Sequence, residues 1–478
     1  MPKILNLYLT IYAFSHYDTS MKLPIKSCVL IIILAVIVSG CFLFPTDPQQ
    51  PEFEPTAEWV NSTGSYVPLI MDVFANGNIL CVSYTSIGIN DMAVVDFFTP
   101  QGVLLNRWLT GERGYHDYYN VGKPVKAIVN NSTGFWSIVY DFEVSSFSYA
   151  TSVAGYITNP YRKYNTSNGE PDFNNSPNAL QPSIVRAENI GNSSTWMVGA
   201  FTDSFKPFNG GIGRTENTCT TFGKADCFVV RYDFSSVPVH HQWGGAENDV
   251  AYGVLGDNDG NATIFLRAGS DFGITSATQS LVRMKTGYNV VKLDTNGLML
   301  STYTVPLQAQ GEISHVELAT AGGDAMFILA KDEKRGEYFL VKASPAGIAW
   351  TRYFGQQVST KRPLVFRQFG IEQIPYMGLT SDSKGNAYIT GNYYHAVDFG
   401  GRVLDSEGLP EMFVASYSGT NALRGVVSAS KGSSTGYTLR LSPDEQSLYV
   451  TGWGEGEVLG VKIPSSPLTF LVKLKLTK

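Results

Sequence analysis

Ser381-Asp382-Ser383-Lys384-Gly385-Asn386-Ala387-Tyr388-Ile389-Thr390-Gly391 sets a polar turn directly before a short apolar run. Gly, Asn and Asp supply the positive φ that a tight hairpin needs, and Ala387–Ile389 reads as the start of a strand. The same succession recurs along the chain. Its apolar anchors are Ile79, Trp136, Trp196, Ile264, Met326, Tyr388 and Leu448, at successive spacings of 57, 60, 68, 62, 62 and 60 residues. Such a period is the mark of a repeat architecture. Comparable turns precede other anchors: Ala75-Asn76-Gly77-Asn78, Asn131-Ser132-Thr133-Gly134, Asp257-Asn258-Asp259-Gly260-Asn261 and Gly322-Gly323-Asp324.

Each unit carries further strands. A third strand repeats as Ala93-Val94-Val95-Asp96, Phe228-Val229-Val230-Arg231, Asn289-Val290-Val291-Lys292, Phe339-Leu340-Val341-Lys342, Phe413-Val414-Ala415-Ser416 and Phe470-Leu471-Val472-Lys473; the copy near 147–156 is degenerate. Fourth strands end at Trp108, Trp243 or Tyr353. Seven four-stranded units are too many strands for one open sheet. A radial array leaves only short, protected edges. The expected fold is therefore all-β: a seven-bladed β-propeller over residues 57–478, with four-stranded antiparallel blades. The last unit lacks a fourth strand, and Ala57-Glu58-Trp59-Val60 is an orphan fourth strand near the start. The N-terminal strand is expected to close the last blade, since open edges would template pairing with other chains.

Gly385–Gly391, followed by Val397-Asp398-Phe399-Gly400-Gly401 and Phe413-Val414-Ala415-Ser416-Tyr417, resembles the bacterial β-propeller repeat (SBBP-like) of secreted and surface proteins; Trp243-Gly244-Gly245 resembles the end of that repeat. The resemblance is clear in the third, fourth and sixth copies, and collectively it covers about 57–476. It implies a propeller and an exported location. It implies no agreed activity and carries over no catalytic residue.

Composition agrees. The 478 residues include 47 Gly, 26 Tyr and 27 Phe; hydrophobic residues make up 44% and charged residues only 16%. That supplies ample core and excludes wholesale disorder. With 35 Lys+Arg against 41 Asp+Glu the net charge is −6, so no broad basic face exists for nucleic acid.

From Met21 the chain reads as a secretory signal: Lys22 and Lys26, then an apolar stretch from Cys28 to Val38. Val38-Ser39-Gly40-Cys41 resembles the bacterial lipobox, which implies cleavage before Cys41 and lipid on its thiol. The other reading is an uncleaved membrane helix over about 27–44, barely long enough to span. Residues 1–20 read as a mis-assigned upstream extension, 21–40 as the lipoprotein signal peptide, and 41–56 as the lipidated cysteine and a Pro-rich linker stiffened by Pro45, Pro48, Pro51 and Pro55. The expected location is outside the cytoplasm, periplasmic or cell-surface, anchored by lipid to the cell membrane or outer membrane.

Of the other cysteines, Cys81 lies in an apolar run and reads as a buried thiol. Cys219 and Cys227 flank a Gly-containing loop; in an exported protein they form either a disulfide or two free thiols. No Cys/His spacing suggests zinc. The Asp257-Asn258-Asp259-Gly260-Asn261 run resembles half a calcium loop, lacks the bidentate Glu, and reads as a turn. Ser381–Tyr388 nearly spells an Asp-box, but Ser383 stands where the key Asp belongs. No metal or cofactor is expected.

Function is expected on loops of a rigid scaffold. The long segments 109–124, 158–181, 202–225, 269–287 and 356–374 all fall on connections between second and third strands or between blades, which share one face. Tyr115, His116, Tyr118, Tyr119, Tyr161, Phe205, Phe208 and Phe222 lie in these segments. Exposed aromatic rings beside Asn and Asp suit glycan or peptide recognition, because rings stack while amides hydrogen-bond; the other reading is that they pack their own loops. No GxSxG elbow, HExxH helix or P-loop occurs. The reading is a monomeric binding or scaffolding module for protein or glycan, with no catalytic residue assigned. A hydrolase or lyase sited in the channel, and a structural subunit of an envelope assembly complex, are the alternatives.

Overall fold

The computed structural model describes residues 53–64, 67–87, 90–109, 124–130, 135–140, 144–148, 184–190, 194–205, 219–233, 239–257, 259–275, 280–358, 377–428, 432–462 and 468–476. Residues 1–52, which hold the expected signal segment, Cys41 and most of the expected linker, lie outside them.

Every described element is a β-strand, and all pairing between strands is antiparallel. The strands form seven sheets of three or four strands and three two-stranded ribbons. Sheet 1 holds Val67–Val73, Ile79–Ile87, Asn90–Phe98 and Leu104–Leu109. Sheet 2 holds Pro124–Asn130, Phe135–Tyr140 and Val144–Ser148. Sheet 3 holds Ile184–Ile190, Ser194–Phe205, Cys219–Asp233 and Val239–Trp243. Sheet 4 holds Val250–Gly256, Ala262–Ala268, Gly287–Leu293 and Met299–Val305. Sheet 5 holds Ile313–Thr320, Met326–Asp332, Glu337–Ser344 and Gly347–Tyr353. Sheet 6 holds Gly378–Ser381, Ala387–Tyr393, Glu411–Tyr417 and Leu423–Ser428. Sheet 7 holds Ser434–Leu441, Ser447–Gly454, Leu468–Lys475 and, from the far end of the chain, Thr56–Gly64.

The core lies between successive sheets rather than within one. Phe327, Leu329 and Tyr338 of sheet 5 pack on Ile389, Phe413 and Tyr417 of sheet 6. Equivalent layers join sheets 3 and 4, 4 and 5, 6 and 7, and 7 and 1. A second strand therefore has a neighbour on each face. That is why Met326–Leu329 and Leu448–Val450 are continuous apolar runs instead of alternating ones, and why Ala387–Tyr393 is buried throughout. Burying each such large side chain contributes about 1.5–3 kcal/mol. First strands touch in succession from sheet 1 to sheet 7, and that of sheet 7 touches that of sheet 1.

Among the described turns between strands one and two, those of sheets 4 and 6 share one design. Asp382 N donates to Asn386 O at 3.0 Å, and Gly385 N donates to Asp382 O at 3.0 Å. Gly385 sits at φ +77°, the left-handed position that closes a type I turn and that glycine adopts without strain. The Asp382 carboxylate accepts from Asn386 N at 2.8 Å, Asn386 Nδ2 at 2.7 Å and Tyr388 Oη at 3.0 Å. Asp257 does the same work at 257–261, accepting from Asp259 N at 3.0 Å and Asn261 N at 2.9 Å.

Turns between strands three and four brace the outermost strand of the preceding sheet. Trp350 Nε1 donates to Gly419 O at 3.0 Å, and Arg352 Nε to Asn421 Oδ1 at 3.0 Å. Asn61 donates its side-chain amide to Gly102 O. Sheet 7 takes its fourth strand from the other end of the chain and so has no such turn to offer sheet 6. Phe53 fills the place: its N donates to Arg424 O at 3.1 Å, and its ring is buried 5.7 Å from that of Tyr388.

Candidate binding face

Within each sheet, the connection between strands two and three leaves from the end opposite the short turns. These connections differ in length. In sheets 1 and 5 they are tight; in sheets 4, 6 and 7 they carry the ribbons Phe272–Thr275 with Leu281–Met284, Ala396–Asp398 with Val403–Asp405, and Glu457–Val458 with Val461–Lys462. In sheet 3 the two strands themselves run on, with Ser204 opposite Thr220 and Phe205 opposite Cys219.

This corrects one expectation and decides between two readings of another. Segments 202–225 and 269–287 are not simply loops, because strand pairing enters each, through the pairs Thr202 with Ala225, Ser204 with Thr220 and Phe205 with Cys219 in the first and through Phe272–Thr275 with Leu281–Met284 in the second. The disulfide does not form either: Cys219 and Cys227 are free, buried thiols on one strand. Their cross-strand partners Phe205 and Ala200 are five residues apart. At about 3.3 Å per residue that is roughly 16 Å, far beyond the ~7 Å reach of a disulfide. Burial, then the nearby Asp249 and Asp226 carboxylates, push the Cys227 thiol up, so it is a protonated core group.

Phe222 stands in the irregular stretch 221–224 of the sheet 3 ribbon, between the pairs Thr202 with Ala225 and Ser204 with Thr220, and is 69% exposed. Its backbone is nonetheless fixed. The fully buried Asp226 accepts from Phe222 N at 2.9 Å and from Gln242 Nε2 at 2.6 Å. Gly244 lies so close to that carboxylate that a Cβ would collide with Oδ1. A second fully buried carboxylate, Asp249, accepts from Gly245 N and Gly269 N, each at 2.8 Å, while its own N donates to Ala225 O at 2.7 Å. Burial raises the Asp249 carboxyl above its ordinary range, and the two glycine amides oppose that shift.

The fixed backbone continues into sheet 4. Ser270 Oγ accepts from Ala246 N at 2.9 Å, and Lys224 Nζ meets Glu247 Oε2 at 2.6 Å. Asp271 Oδ1 accepts from Thr286 N at 2.8 Å, which with the Thr286 hydroxyl holds its carboxyl below the usual range. Arg283 Nε and Lys285 Nζ lie 3.1 and 3.5 Å from Asp271 Oδ2. Leu281, 76% exposed, covers Gly273 on the outward face of the ribbon. Sheet 6 presents Val403 and Leu409 outward on its own connection.

Phe222 is the one aromatic candidate whose side chain is described, and it points outward. Phe205 is placed by its backbone alone, and Tyr115, His116, Tyr118, Tyr119, Tyr161 and Phe208 lie outside the described residues. Sequence reasoning missed Leu281, Val403, Leu409, Arg283 and Lys285. The one available signal was the alternation of Phe272-Gly273-Ile274-Thr275, buried and exposed in turn. Tyr393 and Tyr394, by contrast, are buried in their own sheet, with Tyr393 Oη donating to Glu411 Oε2 at 3.0 Å.

No family model and no curated protein matches the chain. Among solved structures it is similar to the intramolecular trans-sialidase from Ruminococcus gnavus in complex with oseltamivir carboxylate: 9% identity, 87% of this chain and 95% of that one covered, TM-score 0.35. It is also similar to a member of the DUF4221 family from Bacteroides vulgatus: 10% identity, 90% and 100% covered, TM-score 0.32.

Proposed function

We propose that the seven sheets are the blades of a seven-bladed β-propeller related to the SBBP-like repeat, tethered outside the cytoplasm by lipid on Cys41. The ribbon-bearing face binds a protein or glycan. The succession of first-strand contacts, returning from sheet 7 to sheet 1, supports the radial arrangement. The observation that carries the binding reading is Phe222: a mostly exposed aromatic ring on a backbone fixed by a buried carboxylate. Exposed rings on rigid supports make strong anchors, because little freedom is lost on binding.

A photo-crosslinking side chain at position 222, in intact cells, is expected to trap a discrete partner. The same side chain at Val103, on a short turn at the other end of its sheet, is expected to trap none. Equal capture from both positions, or none from 222, sinks the binding face. Cys41→Ala is expected to move the protein from membranes to the soluble fraction; retention in membranes refutes the lipid tether.

A further inference from the structure

Phe222 and Leu281 are not isolated knobs. The backbone belt that runs from Gly223 through Gly245–Glu247 to Ser270 and Asp271 joins their ribbons. The charges along that belt are uneven. Lys224, Arg283 and Lys285 keep 62%, 70% and 64% of their side chains exposed, whereas Asp271 keeps 26% and Glu247 52%. Among the described side chains that face solvent along the belt, three are cationic and two anionic, and the cationic ones reach further out, on a chain whose net charge is −6. Asp226 and Asp249 are fully buried beneath the belt: Asp249 accepts backbone N–H groups on both oxygens, whereas Asp226 accepts from Phe222 N and Gln242 Nε2 on Oδ2 alone and leaves Oδ1 without a hydrogen-bond partner.

We infer that the belt between the ribbons of sheets 3 and 4 takes an acidic peptide segment of a partner protein, its apolar side chains on Phe222 and Leu281 and its carboxylates on Arg283, Lys285 and Lys224. This rests on the binding-face reading and specifies its ligand. Complementary charge sets register and on-rate, while the desolvated apolar anchors supply most of the affinity. Guanidinium suits carboxylate because its planar N–H groups can engage both oxygens. Neither Arg283 nor Lys285 is essential to the fold, since both reach into solvent, Arg283 from the ribbon strand Leu281–Met284 and Lys285 from the residue after it.

The test uses fluorescent twelve-residue probes read by anisotropy: one alternating Glu/Asp with Leu/Phe, a twin with Gln for every acid, and a twin with Lys for every acid. Vesicles of phosphatidylglycerol and phosphatidylcholine serve as a further arm. The acidic probe is expected to bind saturably and to weaken as salt rises. Arg283→Glu with Lys285→Glu, and separately Phe222→Ala with Leu281→Ala, should each weaken it at least tenfold with an unchanged melting temperature. Equal binding of the Gln twin, no binding of the acidic probe, or no loss on charge reversal overturns the inference. So does capture by the anionic vesicles alone, which would make the belt a lipid-binding surface. If a crosslinker at 222 traps a partner whose binding charge reversal leaves unchanged, the face stands and the acidic-ligand inference falls.

Discussion

Lys473 Nζ, in the last strand of the chain, lies 2.8 Å from Glu58 Oε2, in the first. The pair bridges two strands in register, with Val60 opposite Val472 and Trp59 opposite Lys473. Trp59 also packs on Tyr449, ring centroids 6.2 Å apart, and against Gly102 of sheet 1. The ion pair is half-exposed and contributes about 0.5–1 kcal/mol, while the indole contributes more. Trp59→Ala is expected to cost about 3 kcal/mol by loss of packing, read by urea denaturation. Deleting 56–64 should abolish cooperative unfolding; an unchanged transition would mean that this strand does not hold the ring.

Phe53 carries a separate share. It covers the sheet 6 edge where no three-to-four turn exists to do so. Phe53→Ala is expected to cost about 3–4 kcal/mol, the usual range for emptying a buried phenylalanine site. Limited proteolysis should then cut first near 52–56. If cutting begins elsewhere and stability is unchanged, Phe53 is a passenger.

The contrast between these elements and the ribbons shows what the sequence carried. Second strands were legible because both faces are buried, so Ile79, Ile264 and Leu448 sit in apolar runs that repeat at a fixed period. The closing strand was legible because Trp59 copies a fourth-strand pattern that its own surroundings lack. The ribbons were not, because their strands are too short to set a period, even where Phe272, Ile274 and Met284 are buried. Thr220 to Lys224 shows no period-2 apolar signal, and its glycine reads as loop. The choice between a disulfide and two free thiols stayed open for a related reason: spacing along the chain cannot tell a hairpin, which brings two cysteines together, from one strand, which separates them.

His241 predicts a pH dependence. Burial lowers its pKa below the ordinary value of 6.5, with neighbouring His240 adding to the effect. The folded state thus prefers the neutral ring, which stacks on Trp243 and meets the turn at Gly297. Its contribution is complete above pH 6.5 and is lost as pH falls from 6.5 through the folded pKa. Asp249, whose carboxyl is raised, has the opposite sign, so the informative quantity is a difference. Wild type is expected to lose more stability than His241→Phe between pH 7 and pH 5, in urea melts at each pH. Parallel profiles would show that His241 does not titrate on unfolding.

Gly244 ties the turn after Trp243 to the backbone that presents Phe222. A methyl group there would meet the Asp226 carboxylate, which itself holds Phe222 N and Gln242. The carboxylate cannot retreat without giving up two hydrogen bonds while buried, so Gly244→Ala must either strain the turn or free the ribbon. The expected cost is about 1–3 kcal/mol, typical of overpacking. Hydrogen exchange distinguishes the two routes. Faster exchange at Phe222 N, with the sheet 3 strands still protected, means that the carboxylate has moved and that Asp226 sets the pose of the exposed ring. Uniformly faster exchange across sheet 3 means that the strain spreads and the carboxylate holds its place. Stability and exchange both unchanged would show that the contact between Gly244 and Asp226 is loose enough to admit a side chain, and Phe222 would then lose its claim to a preset geometry.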